Sequence, residues 1–180
     1  MKISFWKLSG AGNDFVLLTK TPTGLRGAVL ARRLCDRRRG VGADGLIILS
    51  RRAGRLRLNY WNADGSAAFC GNGARCAALW ARTRGWVYGK DMIIETSCGA
   101  LHVSLTTQGR AEVTMPAPKG LRIGLRLRAF KRSFLVHFVN SGVPHAVVFV
   151  PDIGKTDVGG LGRELRFHKA FGRAGANIDF

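Results

Sequence analysis

The chain has 180 residues, of which 46% are hydrophobic, a globular composition with enough length for a real core. No apolar stretch reaches the length of a membrane span, and the first residues lack a signal-peptide core, so we expect a cytoplasmic protein with no membrane partner. The 29 basic and 11 acidic residues give a net charge of +18, which on its face indicates an anionic partner. The basic clusters lack aromatic interleaving and any nucleic-acid motif, so nucleic acid is not the partner we expect.

Short strands dominate the secondary structure that the hydrophobic pattern predicts. The expected strands, in chain order, are ISFWKL, FVLLT, LIILS, LRLNYW, MIIET, ALHVSLT, AEVTM, FLVHFV and HAVVFV. In LRIGLRLRAF the arginines Arg122, Arg126 and Arg128 alternate with leucine and isoleucine, which predicts a further strand with a solvated arginine face.

Two segments predict helices, and a third, near GRELRFHKAFG, is weakly helical. The first, GLRGAVLARRLCD, has amphipathic spacing and should end near Arg39 and Gly40. The second, GNGARCAALWARTRG, begins just after Cys70 and should stop at Gly85. Its many alanines allow close packing on several sides, so we predict an α+β fold in which a barrel of strands surrounds this central helix.

A domain boundary is predicted at MPAPKG, residues 115–120, which holds two of the five prolines and breaks the strand pattern. We therefore expect one domain over residues 1–117 and a second, shorter one over residues 118–180.

The stretch FCGNGARC places a cysteine at the start of the second predicted helix. A helix start presents unpaired backbone N–H groups and a partial positive charge, and glycines let an anion approach them closely. We therefore expect a lowered pKa for Cys70, whose thiol then has the setting of a base or nucleophile. The amides of Gly71, Asn72 and Gly73 are placed to hold a substrate carboxylate. The alternative interpretation is a buried small residue that caps the helix.

The other cysteines, Cys35, Cys76 and Cys98, lack this context and are interpreted as inert core thiols. The four cysteines form no CxxC pair, so we expect reduced thiols and no metal site. Cys70 should accordingly be the most reactive of the four.

Four motifs resemble those of diaminopimelate epimerases and occur in the same order: LSGAGNDFVLL, RRRGVGADGLIIL, YWNADGSAAFCGNGARC and VNSGVPHAVVFV, followed by GANIDF. The resemblance spans the whole chain, and the third motif is its most specific part. It implies an isomerase of lysine and peptidoglycan biosynthesis that interconverts LL- and meso-2,6-diaminopimelate with no cofactor. It also implies a fold in which each half is a barrel of strands around one helix, with a catalytic cysteine at the helix start.

The resemblance assigns roles to individual residues of this chain. Cys70 would be one of two catalytic cysteines, and the amides of Gly71 and Asn72 would bind the substrate α-carboxylate. The residues that would read the distal amino-acid end are three asparagines, Asn13, Asn62 and Asn177. His145 falls close to the site, with a hydrogen-bonded structural histidine as the equal alternative. Each asparagine taken alone is more often a turn residue.

Two positions depart from the family pattern. Val143 stands where many members have asparagine, so one substrate contact is lost or supplied elsewhere. Gly45 stands where some members have glutamine.

The resemblance also calls for a second cysteine motif of CGTG type and a segment of ERG type, and residues 1–180 contain neither. Inversion of a stereocentre without a cofactor needs a base on one face and an acid on the other. We therefore expect residues 118–180 to form an incomplete second barrel and the chain alone to be inactive. The expected partners are diaminopimelate as substrate and a homodimer mate or completing fragment.

Three other hypotheses remain at this point. The chain is a related racemase or isomerase acting on another amino acid, a basic protein that binds nucleic acid through its charge, or a scaffold that folds without binding diaminopimelate.

Overall fold

The structure is a computed structural model that describes residues 2–52 and 54–180. The chain divides into two compact units, Met1–Met115 and Pro116–Phe180, which are described separately below. No helix within the described ranges is long and apolar enough to cross a membrane.

The first unit contains a mixed sheet of eight strands. Its strands are β1 (Trp6–Gly10), β2 (Asn13–Leu18), β3 (Gly45–Arg52), β4 (Arg55–Asn62), β5 (Ala67–Ala68), β6 (Asp91–Thr96), β7 (Gly99–Leu105) and β8 (Ala111–Val113). The order across the sheet is β1-β2-β3-β4-β6-β7-β8, with β5 paired to β4. The pairs β2–β3 and β4–β6 are parallel and the others are antiparallel.

Helix α2 (Gly71–Thr83) is enclosed by this sheet, because it packs against strands from one edge, β1, to the other, β8. Its alanines Ala74, Ala77, Ala78 and Ala81 are completely buried. A small side chain on each buried side lets strands approach the helix closely, which is how a short helix can be surrounded. The α+β fold with a central alanine-rich helix, predicted from the sequence, is confirmed.

Helix α1 (Gly27–Leu34) covers the opposite face of the same sheet, where Leu30 packs with Val16 and Leu46. The prediction that this helix continues to Arg39–Gly40 is wrong.

The helix ends five residues early because an aspartate competes for the backbone. The Asp36 carboxylate accepts hydrogen bonds from the N–H groups of Arg38 and Arg39, at 2.7 and 2.9 Å, which fixes a turn. The N–H of Val41 then returns to the carbonyl of Leu34 at 2.9 Å and closes the helix end.

The second unit is a four-stranded sheet with one helix packed on it. Its elements are β9 (Lys119–Ala129), β10 (Arg132–Asn140), β11 (Pro144–Val147), α3 (Val158–Arg166) and β12 (Asn177–Asp179). The strand order is β12-β11-β10-β9, and only the β11–β12 pair is parallel among the described strands of this sheet. Leu161 and Leu165 of α3 pack on one sheet face with Leu127, Val136 and Val148.

Arg122, Arg126 and Arg128 are all exposed, as predicted, but they do not share one face of β9, because a bulge reverses the alternation. Gly124 has a φ of +75°, and the β9–β10 register shifts at this point. Arg122 therefore lies opposite Phe138 on the helix-covered face, with its guanidinium carbon 4.3 Å from the ring centroid. Leu121 and Ile123 turn outward instead and are 66% and 71% exposed.

Candidate active site

Cys70 caps the N-terminus of α2. Its backbone is extended, with φ −140° and ψ 108°, and its Sγ accepts a hydrogen bond from the N–H of Gly73 at 3.4 Å. The first backbone bond of the helix runs from the N–H of Ala74 to the carbonyl of Cys70, at 3.0 Å. The helix itself therefore offers no backbone carbonyl to the N–H groups of Gly71 and Asn72, the arrangement that favours an anion at a helix start.

The pKa of Cys70 shifts in the direction opposite to the one expected from the sequence. Burial raises the pKa of this thiol, while the N–H groups of Gly73 and Asn72 and the charge of Arg75 oppose the rise. Burial has the larger effect, so the expected lowering of the pKa is not what this arrangement produces. The helix start does favour the thiolate, as the sequence indicated, but the enclosing sheet removes more water from the sulfur than the N–H groups replace.

The two glycines in the first turn of α2 are closely approached by side chains of the same unit. A side chain at Gly73 would bring its Cβ to 3.3 Å from the Cδ1 of Ile47 on β3, and one at Gly71 would bring it to 3.4 Å from the Sδ of Met115. The contact at Gly73 is tighter than ordinary van der Waals contact and the one at Gly71 is at its edge, so a side chain at Gly73 would require Ile47 to shift by a few tenths of an ångström.

A chain of side-chain hydrogen bonds joins Asn13 to the first turn of α2. The Nδ2 of Asn72 donates to the Oδ1 of Asn13 at 2.8 Å, and Arg75 donates to the Oδ1 of Asn72. The Nδ2 of Asn13 donates in turn to the Oδ2 of Asp44, at 3.1 Å. Each amide therefore has one end satisfied by a donor and the other by an acceptor, which fixes its orientation. The structure thus brings together Asn13, Asn72 and Cys70.

Asp44 anchors the far end of this chain through a second set of bonds. It accepts the N–H of Asp14 at 3.0 Å and the guanidinium of Arg37 at 3.0 Å, and Arg37 also reaches Asp14 at 2.8 Å. Hydrogen bonds from Arg37 and Lys7 hold the pKa of the Asp14 carboxyl well below its usual range. Asp44, Arg37 and Arg75 were missed by sequence reasoning. The short spacing of Arg75 from Cys70 on one helix start was the available signal.

Asn62 stands at the end of β4 on the α2 side of the sheet. It pairs across the strands with Gly45, which pairs in turn with Phe15. Its Nδ2 donates to the Oγ of Ser66 at 3.0 Å, and its N–H bonds the carbonyl of Ser66 at 2.9 Å. Asn62 therefore closes a turn, and a substrate role for it remains a prediction.

Two predicted site residues lie in the second unit, on neighbouring strands. His145 and Asn177 pair across β11 and β12. The Nδ1 of His145 lies 2.8 Å from the Oδ2 of Asp179, and the Oδ1 of Asn177 accepts from Arg166 at 3.2 Å. The carbonyl of Val143 accepts the N–H of Ser141 at 3.2 Å in the turn before β11. The roles predicted for His145 and Asn177 stay predictions.

The remaining cysteines occupy settings of a different kind. Cys35 follows α1 and is buried, and burial raises its pKa to about 11. Cys76 lies inside α2, and the Sγ of Cys98 lies 3.1 Å from the Oγ1 of Thr96 in the turn between β6 and β7. All four are free thiols, and no group of three metal-binding side chains occurs within the described part of the chain.

The fold is that of the racemase and epimerase class. A probable proline racemase from Agrobacterium radiobacter K84 matches with a TM-score of 0.66 at 18% identity, over 84% of this chain and 53% of that one. A hydroxyproline epimerase from Agrobacterium vitis matches with a TM-score of 0.66 at 15% identity, over 90% of this chain and 56% of that one. The chain therefore spans little more than half the length of these two structures, and the likeness is one of fold.

The chain belongs to the diaminopimelate epimerase family. The family model for diaminopimelate epimerase matches residues 5–120. A diaminopimelate epimerase from Desulforudis audaxviator is 39% identical over 197 residues, covering 99% of this chain and 70% of the relative. One from Aquifex aeolicus is 35% identical over 191 residues, covering 99% of this chain and 68% of the relative. The isomerase resemblance inferred from the sequence motifs is confirmed.

Proposed function

We propose that the chain supplies one catalytic half of a diaminopimelate epimerase, which interconverts LL- and meso-2,6-diaminopimelate in lysine and peptidoglycan biosynthesis. The observation that carries the proposal is the position of Cys70 at the start of an enclosed helix, beside two hydrogen-bonded asparagines. Family membership supports the choice of substrate, and the thiol beside the first N–H groups of α2 supports the chemistry. The alternatives of a nucleic-acid-binding protein and a non-catalytic scaffold have no comparable support.

The proposed chemistry is a proton transfer at the substrate α-carbon. The α-carboxylate binds the N–H groups of Gly71 and Asn72, which places the α-carbon beside the Cys70 sulfur. In one direction the Cys70 thiolate takes the α-proton and becomes a thiol, while the electron pair left on carbon is stabilised by the carboxylate and the helix start. In the other direction the Cys70 thiol donates its proton to the carbanion and becomes a thiolate. The raised pKa of Cys70 favours the thiol, the form needed for this donation.

Inversion requires a second acid or base on the opposite face of the α-carbon. Of the four cysteines, Cys70 alone stands at a helix start, since Cys35 follows α1, Cys76 lies within α2 and Cys98 lies in a turn. We therefore propose that the second group comes from a partner polypeptide or from a further part of the protein. We also propose that residues 1–117 form the first epimerase domain and that residues 118–180 belong to the second.

The test follows deuterium and stereochemistry separately in heavy water. The purified chain should incorporate deuterium slowly at the α-carbon of diaminopimelate with retention, because one thiol returns the deuteron to the face it came from. Inversion should appear when a polypeptide carrying the second cysteine motif is added. Cys70→Ala should abolish both reactions, and Cys98→Ala is the matched control that should change neither.

Two outcomes would overturn this proposal. Rapid inversion by residues 1–180 alone would refute the need for a second group. Exchange that is as fast in Cys70→Ala as in the parent chain would refute the role of Cys70.

A further inference from the structure

The aromatic ring of Tyr60 occupies the space above Gly45. A Cβ added at Gly45 would lie only 2.6 Å from the Cζ of Tyr60, which no real Cβ contact allows. The ring on β4 thus requires glycine on β3. This is the position at which the family resemblance places glutamine in some members, so this chain has an aromatic side chain where a polar one would otherwise project.

Tyr60 lies on the sheet face that carries the predicted substrate residues. Residues two apart on a strand share a face, which groups Tyr60 with Asn62 on β4 and Phe15 with Asn13 on β2. Gly45 lies between these strands, paired with Asn62 on one side and Phe15 on the other. The Tyr60 ring packs edge-on to Phe15, with ring centroids 6.1 Å apart. The ring of Tyr60 therefore lies over Gly45, among the cross-strand partners Asn62, Gly45 and Phe15.

The Tyr60 hydroxyl is left without a hydrogen bond in this setting. The residue is only 8% exposed, yet its oxygen has no hydrogen-bond partner among the described residues. Among the described side chains, only the Nε1 of Trp80 is both closed to solvent and without a hydrogen-bond partner. The Tyr60 oxygen also lacks a partner, so it must be reached by solvent. A buried tyrosine normally finds a partner for its hydroxyl. A hydroxyl that is unpaired yet accessible, on a side chain this deeply buried, is the arrangement expected of a group that meets a ligand.

The protonation state of Tyr60 makes it a donor. Burial raises the pKa of its phenol, and negative charge on the nearby Cys70, when it is ionised, and on Asp44 raises it further. The hydroxyl therefore keeps its proton at physiological pH. A neutral phenol donates one hydrogen bond, and its strongest acceptor on an amino acid is the carboxylate.

The asparagines near Tyr60 have few donors left for a substrate. One N–H of Asn13 is committed to Asp44, and its carbonyl accepts from Asn72. One N–H of Asn62 is committed to Ser66. A substrate with an amino-acid group at each end needs donors for two carboxylates, and the helix start provides them for only one.

We propose that Tyr60 is a specificity-determining residue whose hydroxyl donates a hydrogen bond to the distal carboxylate of the substrate. The inference rests on the proposed function, because it assumes that diaminopimelate binds with its α-carboxylate at the start of α2. Gly45 is then the companion residue that makes room for the tyrosine.

The experiment compares two ligands that differ at one group. Lysine has the same α-amino acid end and distal amine as diaminopimelate but lacks the distal carboxylate. Dissociation constants for both are measured on the full 180-residue chain from the protection of Cys70 against alkylation. Tyr60→Phe removes only the hydroxyl and should weaken diaminopimelate binding about tenfold while leaving lysine binding unchanged. The matched control is Tyr88→Phe, at a tyrosine that is 76% exposed, which should change neither constant.

A second measurement needs no variant. With ¹³C-labelled tyrosine, the Cζ resonance of Tyr60 should shift when diaminopimelate is added and stay in place when lysine is added, while that of Tyr88 responds to neither ligand.

The outcomes distinguish a failure of the role of Tyr60 from a failure of the proposed function. If the parent chain binds diaminopimelate and Tyr60→Phe binds it equally well, the role of Tyr60 is refuted and the proposed function stands. Equal weakening of both ligands would also refute a contact with the distal carboxylate. If the parent chain binds neither ligand at any accessible concentration, the proposed function fails and this inference fails with it.

Discussion

The two units of the chain share one arrangement of strands and differ in what covers it. In the first unit β1 and β2 are antiparallel, α1 follows, and β3 pairs parallel with β2. In the second unit β10 and β11 are antiparallel, α3 follows, and β12 pairs parallel with β11. In each unit, this helix covers one face of the unit's own sheet.

The opposite faces of the two sheets are different environments. In the first unit that face encloses α2 and buries a core around residues such as Phe15 and Ile47. In the second unit the corresponding face exposes Leu121, Ile123 and Leu135, and His137 packs edge-on to the exposed Phe149 with ring centroids 5.6 Å apart. Within the described residues, only the first unit brings a helix start into its sheet, and that helix start carries the chemistry proposed above.

The largest expected effect comes from making the same substitution in both units. Ile47→Ala should lower the free energy of unfolding by about 2–5 kcal/mol, because Ile47 on β3 is completely buried in the core that contains α2. Ile123→Ala should lower it by about 0.5 kcal/mol or less, because Ile123 already faces solvent. All four tryptophans lie in the first unit, so their fluorescence in urea follows that unit, while hydrogen exchange of the β9 and β10 amides follows the second.

A loss of 2 kcal/mol or more in Ile123→Ala would break the comparison. It would mean that the open face of the second unit is covered in solution.

An intermediate effect is expected from adding one methyl group at a glycine in each unit. Gly45→Ala should cost about 1–3 kcal/mol, because its Cβ would overlap the ring of Tyr60. Gly162→Ala in α3 should stabilise the protein by about 0.5–1 kcal/mol, because its Cβ would make an ordinary contact at 3.6 Å with Phe180 and alanine favours the helix. Thermal unfolding of both variants measures the difference. A Gly45→Ala variant as stable as the parent would show that the ring of Tyr60 moves freely, contrary to the packing described here.

The smallest effect is a difference in alkylation rate between the two half-buried thiols and the two buried thiols of the first unit. Cys70 and Cys98 should be alkylated before Cys35 and Cys76, which are buried. Because burial raises the pKa of Cys70, its thiolate fraction is small at pH 7, and its rate should rise about tenfold per pH unit as the pH is raised toward that pKa. Diaminopimelate should protect Cys70 and leave Cys98 unchanged. Mass spectrometry of peptides resolves each site. Faster reaction at Cys35 or Cys76 in the folded chain would contradict the placement of the thiols.

The elements of the first unit were largely predictable because their signals are local. Glycines after Cys70 and a run of alanines predict a closely packed helix that begins there, and alternating apolar residues predict its strands. The end of α1 was not predictable from helical spacing, because the carboxylate of Asp36 decides it by competing for two backbone N–H groups. The reversal at Gly124 was hidden for a similar reason, since an alternating pattern does not show on which strand a bulge will form.

The candidate site was predictable in its first residue and not in its connections. The motif around Cys70 indicates a thiol at a helix start, whereas the bond from Asn13 to Asp44 joins residues 31 positions apart and depends on the register of β2 and β3. The direction of the Cys70 pKa was likewise beyond sequence reasoning, because it depends on how completely the sheet excludes water from the sulfur. Tyr60 was within reach, since it lies on the predicted strand LRLNYW, which ends immediately before Asn62.

The capping role of Cys70 has a consequence for how this protein could have evolved. The best residues at a helix N-cap are serine, threonine, aspartate and asparagine, and a sulfur that accepts its bond at 3.4 Å is a weak substitute. A serine at this position would hold the helix start more firmly, by about 0.5–1 kcal/mol. Selection for stability alone would therefore replace cysteine at this position. A lineage that keeps Cys70 is retaining a weaker cap for the sake of a thiol, so the identity of this one residue in close relatives would separate copies still under selection for proton transfer from copies retained only as folded scaffolds.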